Sequence, residues 1–186
     1  MGRNGFEFHE MAEVSADVEA VLEDARTQFG FVPNLLSLMA ESPAALKGYR
    51  QLGELFRTSG LGKRERMLVE LAASDENGCG YCTVAHSAQA AGAGVSAAEV
   101  DAVRAGGVPE DGAGAALVGM VRALIRRRGA VSDDEVAAFL AAGFSRGQLL
   151  DVVLGIAMKT ISNYTNHLVD APLDAALRRR GGESAH

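Results

Sequence analysis

The 186-residue sequence is short of the features that mark many functional classes. No apolar run approaches the ~20 residues that cross a bilayer as a helix, so no membrane partner is expected. The first residues, MGRNGFEFHEM, hold no apolar stretch of the kind a secretory signal needs. Phe6 stands where an N-myristoylation signal wants Ser or Thr. Basic residues are not in excess: 18 Lys and Arg face 24 Asp and Glu, a net charge of −6. Phosphate contacts need a concentrated positive field, so nucleic acid is not an expected partner either. Cysteine is scarce, at two residues, too few for a disulfide scaffold. No segment alternates with period two for long enough to be a strand, and without a strand there is no strand–glycine loop–helix cradle for a nucleotide. These absences describe a soluble, cytoplasmic protein. Its 48% hydrophobic and 23% charged residues suffice for one folded domain over 1–186.

What the sequence does have is helical punctuation. Val18, Val21, Leu22, Ala25 and Phe29 repeat with a helical period over 15–29, and Gly30 is a natural stop. Pro33 and the Ser42-Pro43 pair open two further helices, to about Ala40 and Thr58. A helix from near Gly62 carries Met67, Leu68, Leu71 and Ala72 as its apolar stripe, and after Asn77-Gly78 a cysteine-bearing helix runs to about Ala91. Three capping boxes, Ser96–Glu99, Ser132–Glu135 and Ser145–Gln148, begin three later helices. Another helix over 113–128 ends in Arg126-Arg127-Arg128, cations where the helix dipole favours them. Residues 178–186 read as a frayed tail. The fold class is all-α, a helical bundle.

The chemistry concentrates in Glu76-Asn77-Gly78-Cys79-Gly80-Tyr81-Cys82-Thr83-Val84-Ala85-His86. On a helix, Cys79, Cys82 and His86 share one face, with the His86 imidazole one turn from Cys82. A thiolate is the reactive form of cysteine, and a neighbouring imidazole can take the proton or stabilise the anion. Cys79, at the helix start, has a second route to activation through the exposed backbone N–H groups. Two other readings compete: a pair of small buried hydrophobes, and a zinc site with His167 as fourth ligand. A thioredoxin fold is disfavoured by the missing βαβ pattern. No haem, flavin or nicotinamide signature is visible, so no cofactor and no metal is expected, and the redox centre is the cysteine pair itself.

The Cys-x-x-Cys-x-x-x-His motif after Asn-Gly, approached by Arg64-Glu65-Arg66-Met67-Leu68-Val69-Glu70-Leu71-Ala72-Ala73-Ser74, resembles the carboxymuconolactone decarboxylase superfamily. More narrowly it resembles the AhpD-like alkylhydroperoxidases. The match is clear over about 60–95 and weaker outside, at Phe29-Gly30-Phe31-Val32-Pro33-Asn34 and Asn163-Tyr164-Thr165-Asn166-His167. The resemblance implies an all-helical thiol peroxidase for organic hydroperoxides or hydrogen peroxide. It implies Cys82 as attacking thiol, Cys79 as resolving thiol and His86 in a proton relay. It further implies self-association as a homo-oligomer. An external dithiol or protein reductant must reopen the disulfide, because two cysteines cannot supply their own electrons. The helix dipole alone would favour Cys79 as the thiolate. The relay glutamate of such proteins often stands twelve residues before the first cysteine, where this chain has Met67. Of the nearby carboxylates Glu65, Glu70 and Glu76, Glu76 is favoured as the acid and Glu65 comes second. The alternatives in function are a decarboxylase or lactone enzyme, whose relatives generally lack the cysteine pair, and a non-catalytic redox sensor.

A second constellation occupies the long helix over 146–167. Lys159, Asn163, Asn166, His167 and Asp170 recur every three or four residues among Leu149, Val152, Val153, Ile156, Ala157 and Ile161. This stripe either faces the cysteine helix or a subunit interface and lines a pocket, or it is an ordinary solvent face.

Overall fold

A computed structural model describes residues 2–180, and these are all-helical. The helices are α1 (Ala16–Phe29), α2 (Asn34–Met39), α3 (Pro43–Arg57), α4 (Lys63–Glu76), α5 (Gly80–Ala90), α6 (Ala97–Arg104), α7 (Gly112–Arg126), α8 (Asp133–Ala141), α9 (Arg146–Val169) and α10 (Ala175–Arg180). All three capping boxes form, each with the serine side chain accepting an N–H three residues on and the Glu or Gln returning the bond. Ser42 caps α3, with Pro43 at its first position. Gly30 stops α1 in the left-handed conformation, at φ 84°. Residues 178–180, expected to fray, belong to α10; the rest of that expected tail, 181–186, lies outside the described residues. No single described helix is long and apolar enough to cross a membrane.

The apolar interior forms two clusters. One gathers around α4 and α7, with Leu68, Val69, Leu71, Leu117, Val118 and Val121 at its centre. The other joins α1, α2 and the end of α9 to both cysteines. Helix α4 packs against α5, α7 and α9, so it links the two. Helix α9 approaches α3 and α4 at Gly155, where a Cβ would sit 2.7 Å from the Phe56 ring and 2.8 Å from Val69. Any larger residue would force the helices apart there.

Helix α9 is turned opposite to a simple amphipathic reading. Leu150, Val153, Tyr164 and Leu168 are exposed, while Lys159, Ser162, Asn163 and Asn166 are buried. The stripe noticed in the sequence therefore divides. Lys159, Asn163 and Asn166 face inward, and His167 and Asp170 lie at the surface.

Candidate functional site

A single turn sets the thiol pair. Helix α4 ends in a Schellman motif: the Cys79 N–H donates to the Ser74 carbonyl and the Gly78 N–H to the Asp75 carbonyl, both at 2.9 Å. Gly78 sits at φ 68°, a conformation that favours glycine. The reversal leaves Cys79 as the N-cap of α5, its Sγ accepting the Cys82 N–H at 3.4 Å. Cys82 follows in the first turn, and His86 one turn later.

Both thiols are buried and free, and their environments differ. Cys82 opens onto a cavity of about 1020 Å³ that His86, Glu70, Lys159 and Tyr49 also line; Cys79 does not reach it. The Cys79 thiol donates to the Cys82 sulfur, which lowers the Cys82 pKa to about 6 against the opposing cost of burial. The Lys159 ammonium and the Asn163 and Ser162 dipoles lower it further. The same hydrogen bond, with burial, pushes the Cys79 thiol far up, so Cys79 keeps its proton. These surroundings outweigh the helix-start effect that favoured Cys79.

Sequence reasoning placed Lys159 in a polar stripe that would face the cysteine helix or a subunit interface and line a pocket, or else be a solvent face, and gave the residue no role of its own; in the structure it is central to the thiol site. It is 1% exposed, and its Nζ donates to His86 Nε2 at 2.7 Å. Burial opposes its charge, but the negative groups around it, Cys82 and Glu70 among them, hold its pKa above the usual lysine value. Burial and this neighbouring ammonium push the His86 pKa well below its ordinary value, so the ring is neutral. With Nε2 accepting from Lys159, the ring proton belongs on Nδ1, which points at Glu70 Oε2 from 3.4 Å. The imidazole makes no hydrogen bond to either sulfur and is coupled to Cys82 through Lys159. Burial raises the Glu70 pKa to about 7, although Lys159 and Arg66 pull against it. Glu70 thus sits where a carboxyl can both give and take a proton near neutrality.

The expectation for Glu76 needs correction. Its carboxylate is held bidentately by Arg126, at 2.7 and 2.8 Å, with Arg122 3.7 Å away. It makes no contact with the thiols or His86; the carboxylate against His86 is Glu70. A periodicity count could have found it, because on α4 Glu70 lies one turn after Met67, the position that first drew attention. Met67 is buried and lines the cavity. Tyr81 donates to Asp174 at 2.5 Å, and Asp174 in turn accepts the Asn34 N–H. His167 is exposed and stacks on Tyr164 at 6.3 Å, so it is not brought to the sulfurs as a zinc ligand. Asn163 accepts from Asn77 at 3.0 Å, and its buried Nδ2 has no hydrogen-bond partner.

Known proteins share this architecture. The chain is similar to an AhpD-core, peroxidase-related protein from Ralstonia eutropha JMP134, at 21% identity and a TM-score of 0.80 over 97% of this chain and 96% of that one. It is similar to a peroxidase-related protein from Silicibacter sp. TM1040, at 17% identity and TM-score 0.81 over 95% and 93%. It is equally similar to the debrominase Bmp8, at 17% identity and TM-score 0.81 over 97% and 98%. No curated protein matches. The fold is therefore AhpD-like. The carboxymuconolactone decarboxylase family profile matches residues 43–126, from α3 through α7, including the thiol motif. Over that segment the chain is similar to the carboxymuconolactone decarboxylase family.

Proposed function

We propose that the protein is a thiol-dependent peroxidase with Cys82 as its nucleophile. The observation that carries this reading is the split environment of the pair. Cys82 faces the cavity with a buried ammonium beside it, while Cys79 lies behind with its proton retained. The Cys82 thiolate attacks the terminal oxygen of a hydroperoxide, the O–O bond breaks, and Cys82 becomes a sulfenic acid. Lys159 gives the leaving alkoxide a proton; with the imidazole then in its Nε2–H tautomer, Nε2 returns a proton to Lys159 as Nδ1 takes one from Glu70, which restores the resting Nδ1–H form. The Cys79 sulfur then attacks the sulfenic sulfur; the S–S bond forms and water leaves with the Cys79 proton. An external dithiol or a protein reductant returns two electrons.

The test is steady-state turnover of tert-butyl hydroperoxide with dithiothreitol. Wild-type protein should cycle, and Cys82→Ser should lose turnover entirely. Full activity in Cys82→Ser would overturn the assignment, and a single stoichiometric oxidation without cycling would identify a redox sensor instead.

One observation favours a second reading. The cavity is far larger than a small peroxide and has aromatic walls at Phe29, Phe31 and Phe56. A similar structure is that of a Cys-to-Ala variant of debrominase Bmp8 in complex with 2,3,4-tribromopyrrole. The same dithiol holds the two electrons that replace a carbon–halogen bond by carbon–hydrogen. Bromide release from that pyrrole with dithiothreitol, unmatched by peroxide turnover, would favour this reading.

A further inference from the structure

We propose that the cavity binds an amphipathic substrate with an anionic end, a long-chain fatty acid hydroperoxide, its carboxylate held by Lys63 and Arg66. This rests on the peroxidase reading and names its substrate class.

The walls supply the apolar half. At about 1020 Å³ the cavity matches the upper range of sites that enclose whole drug-sized ligands, and a short alkyl peroxide would leave most of it wet. Phe31, Leu35, Phe56, Met67 and Met158 line it.

The charges supply the polar half. Six cations reach the cavity. Lys47, Arg50 and Arg57 are compensated by Asp17, Asp24 and Glu54. Lys159 belongs to the thiol. Lys63 and Arg66 remain, and neither has a carboxylate within salt-bridge distance among the described residues. Lys63 donates to the Gly92 carbonyl at 2.6 Å, and Arg66 gives one terminal N–H to the Leu61 carbonyl. Arg66 feels the Glu70 charge from the neighbouring turn of α4, and Glu70 carries a proton for much of the time near neutrality.

Position links the two halves. Lys63 and Arg66 begin α4, and Glu70 on the same helix meets His86 of α5. The Lys63–Gly92 bond fixes the cationic end beyond the far end of α5. From Cys82 to Gln89 and Gly92, at 1.5 Å rise per residue, the wall runs about 10–15 Å. A mid-chain hydroperoxide of a long fatty acid spans such a length between its peroxide and its carboxylate. A short peroxide fills neither end.

The experiment has a binding arm and a turnover arm. In the first, linoleic acid and methyl linoleate, below their aggregation concentrations, are titrated into Cys82→Ser protein by calorimetry. The acid should bind about tenfold or more tighter than the ester, the scale of a charge-assisted hydrogen bond. In Cys82→Ser/Lys63→Gln/Arg66→Gln protein the preference should fall to about one. Equal binding of acid and ester, binding of neither, or a preference that survives the double replacement overturns the proposal. In the second arm, wild-type kcat/KM for linoleic acid hydroperoxide should exceed that for its methyl ester by a similar factor, chiefly through KM; equal values also overturn it. Absence of turnover with every hydroperoxide, tert-butyl hydroperoxide included, overturns the peroxidase reading and leaves the binding comparison to decide the ligand class.

Discussion

Arg122 and Lys159 are the two buried cations among the described residues, 5% and 1% exposed, and they are treated in opposite ways. The Arg122 guanidinium is tied down at both terminal nitrogens, and its Nε alone lacks a hydrogen bond. It donates to the Gly106, Gly107 and Val103 carbonyls and to Asp75 at 3.0 Å, with Glu76 3.7 Å from its Nε. Those partners tie α7 to the C-terminal ends of α4 and α6. Lys159 has one hydrogen bond, to His86, and otherwise faces groups that can change protonation: Cys82, Glu70, Tyr49. A buried charge surrounded by fixed acceptors holds structure together. One surrounded by titratable neighbours instead sets their proton affinities, and so controls reactivity.

The largest expected effect follows from the first of these. Arg122→Met removes the donor and leaves three carbonyls and a carboxylate unpaired, at a cost of about 3–5 kcal/mol in folding. Urea denaturation measures this, and the alkylation rate of Cys82 in the folded variant should be unchanged. Lys159→Met should behave in reverse. Its partners can respond by protonation, since a thiolate that loses its counterion takes up a proton, so the stability cost should be small. Iodoacetamide alkylation of Cys82 at pH 7 should slow by about tenfold or more as its pKa rises. A large stability loss with an unchanged alkylation profile would make Lys159 a second Arg122 and dissolve the contrast.

The pH dependence sharpens the comparison. Cys82 has its pKa lowered from 9.0 to about 6, so the stability it contributes is full above pH 9 and is lost as pH falls through 6. Glu70 has its pKa raised from 4.5 to about 7, so its contribution is full below pH 4.5 and is lost as pH rises through 7. Glu70 should therefore pull urea midpoints down as pH rises from 4.5 to 7, against the opposite trend of His86, whose lowered pKa gives stability that is lost as pH falls below 6.5, and Cys82 should raise them between pH 6 and 9. Relative to wild type, Glu70→Gln should remove the downward contribution and Cys82→Ser the later rise. A Glu70→Gln profile superimposable on wild type would remove Glu70 from the relay.

The helices and the thiol turn were legible because their signals are local. A capping serine is read by the residue three positions on, and Gly78 and Cys79 are adjacent to the helix end they close. Cys79, Cys82 and His86 could be set on one face from spacing alone. The acid could not. Glu65, Glu70 and Glu76 are neighbours in sequence, and only the packing of α4 between α5 and α7 turns Glu70 toward His86 and Glu76 toward Arg126. Lys159 was half visible: its stripe stood out on an apolar helix, but its direction depends on α9 turning Leu150 and Val153 outward.

The smallest effect tests whether the thiol turn belongs to the structural region or the reactive one. Gly78→Ala forces a Cβ into the left-handed region, at a cost of about 1–2 kcal/mol. Because Cys79 takes its N–H partner from this turn, strain there reaches the N-cap that orients its sulfur toward Cys82. If the turn serves reactivity, the midpoint should fall modestly and the alkylation profile of Cys82 should move to higher pH, as the Cys79 hydrogen bond weakens. If the midpoint falls and the profile stays fixed, the turn only joins two helices, and the lowered Cys82 pKa owes more to Lys159 than to Cys79.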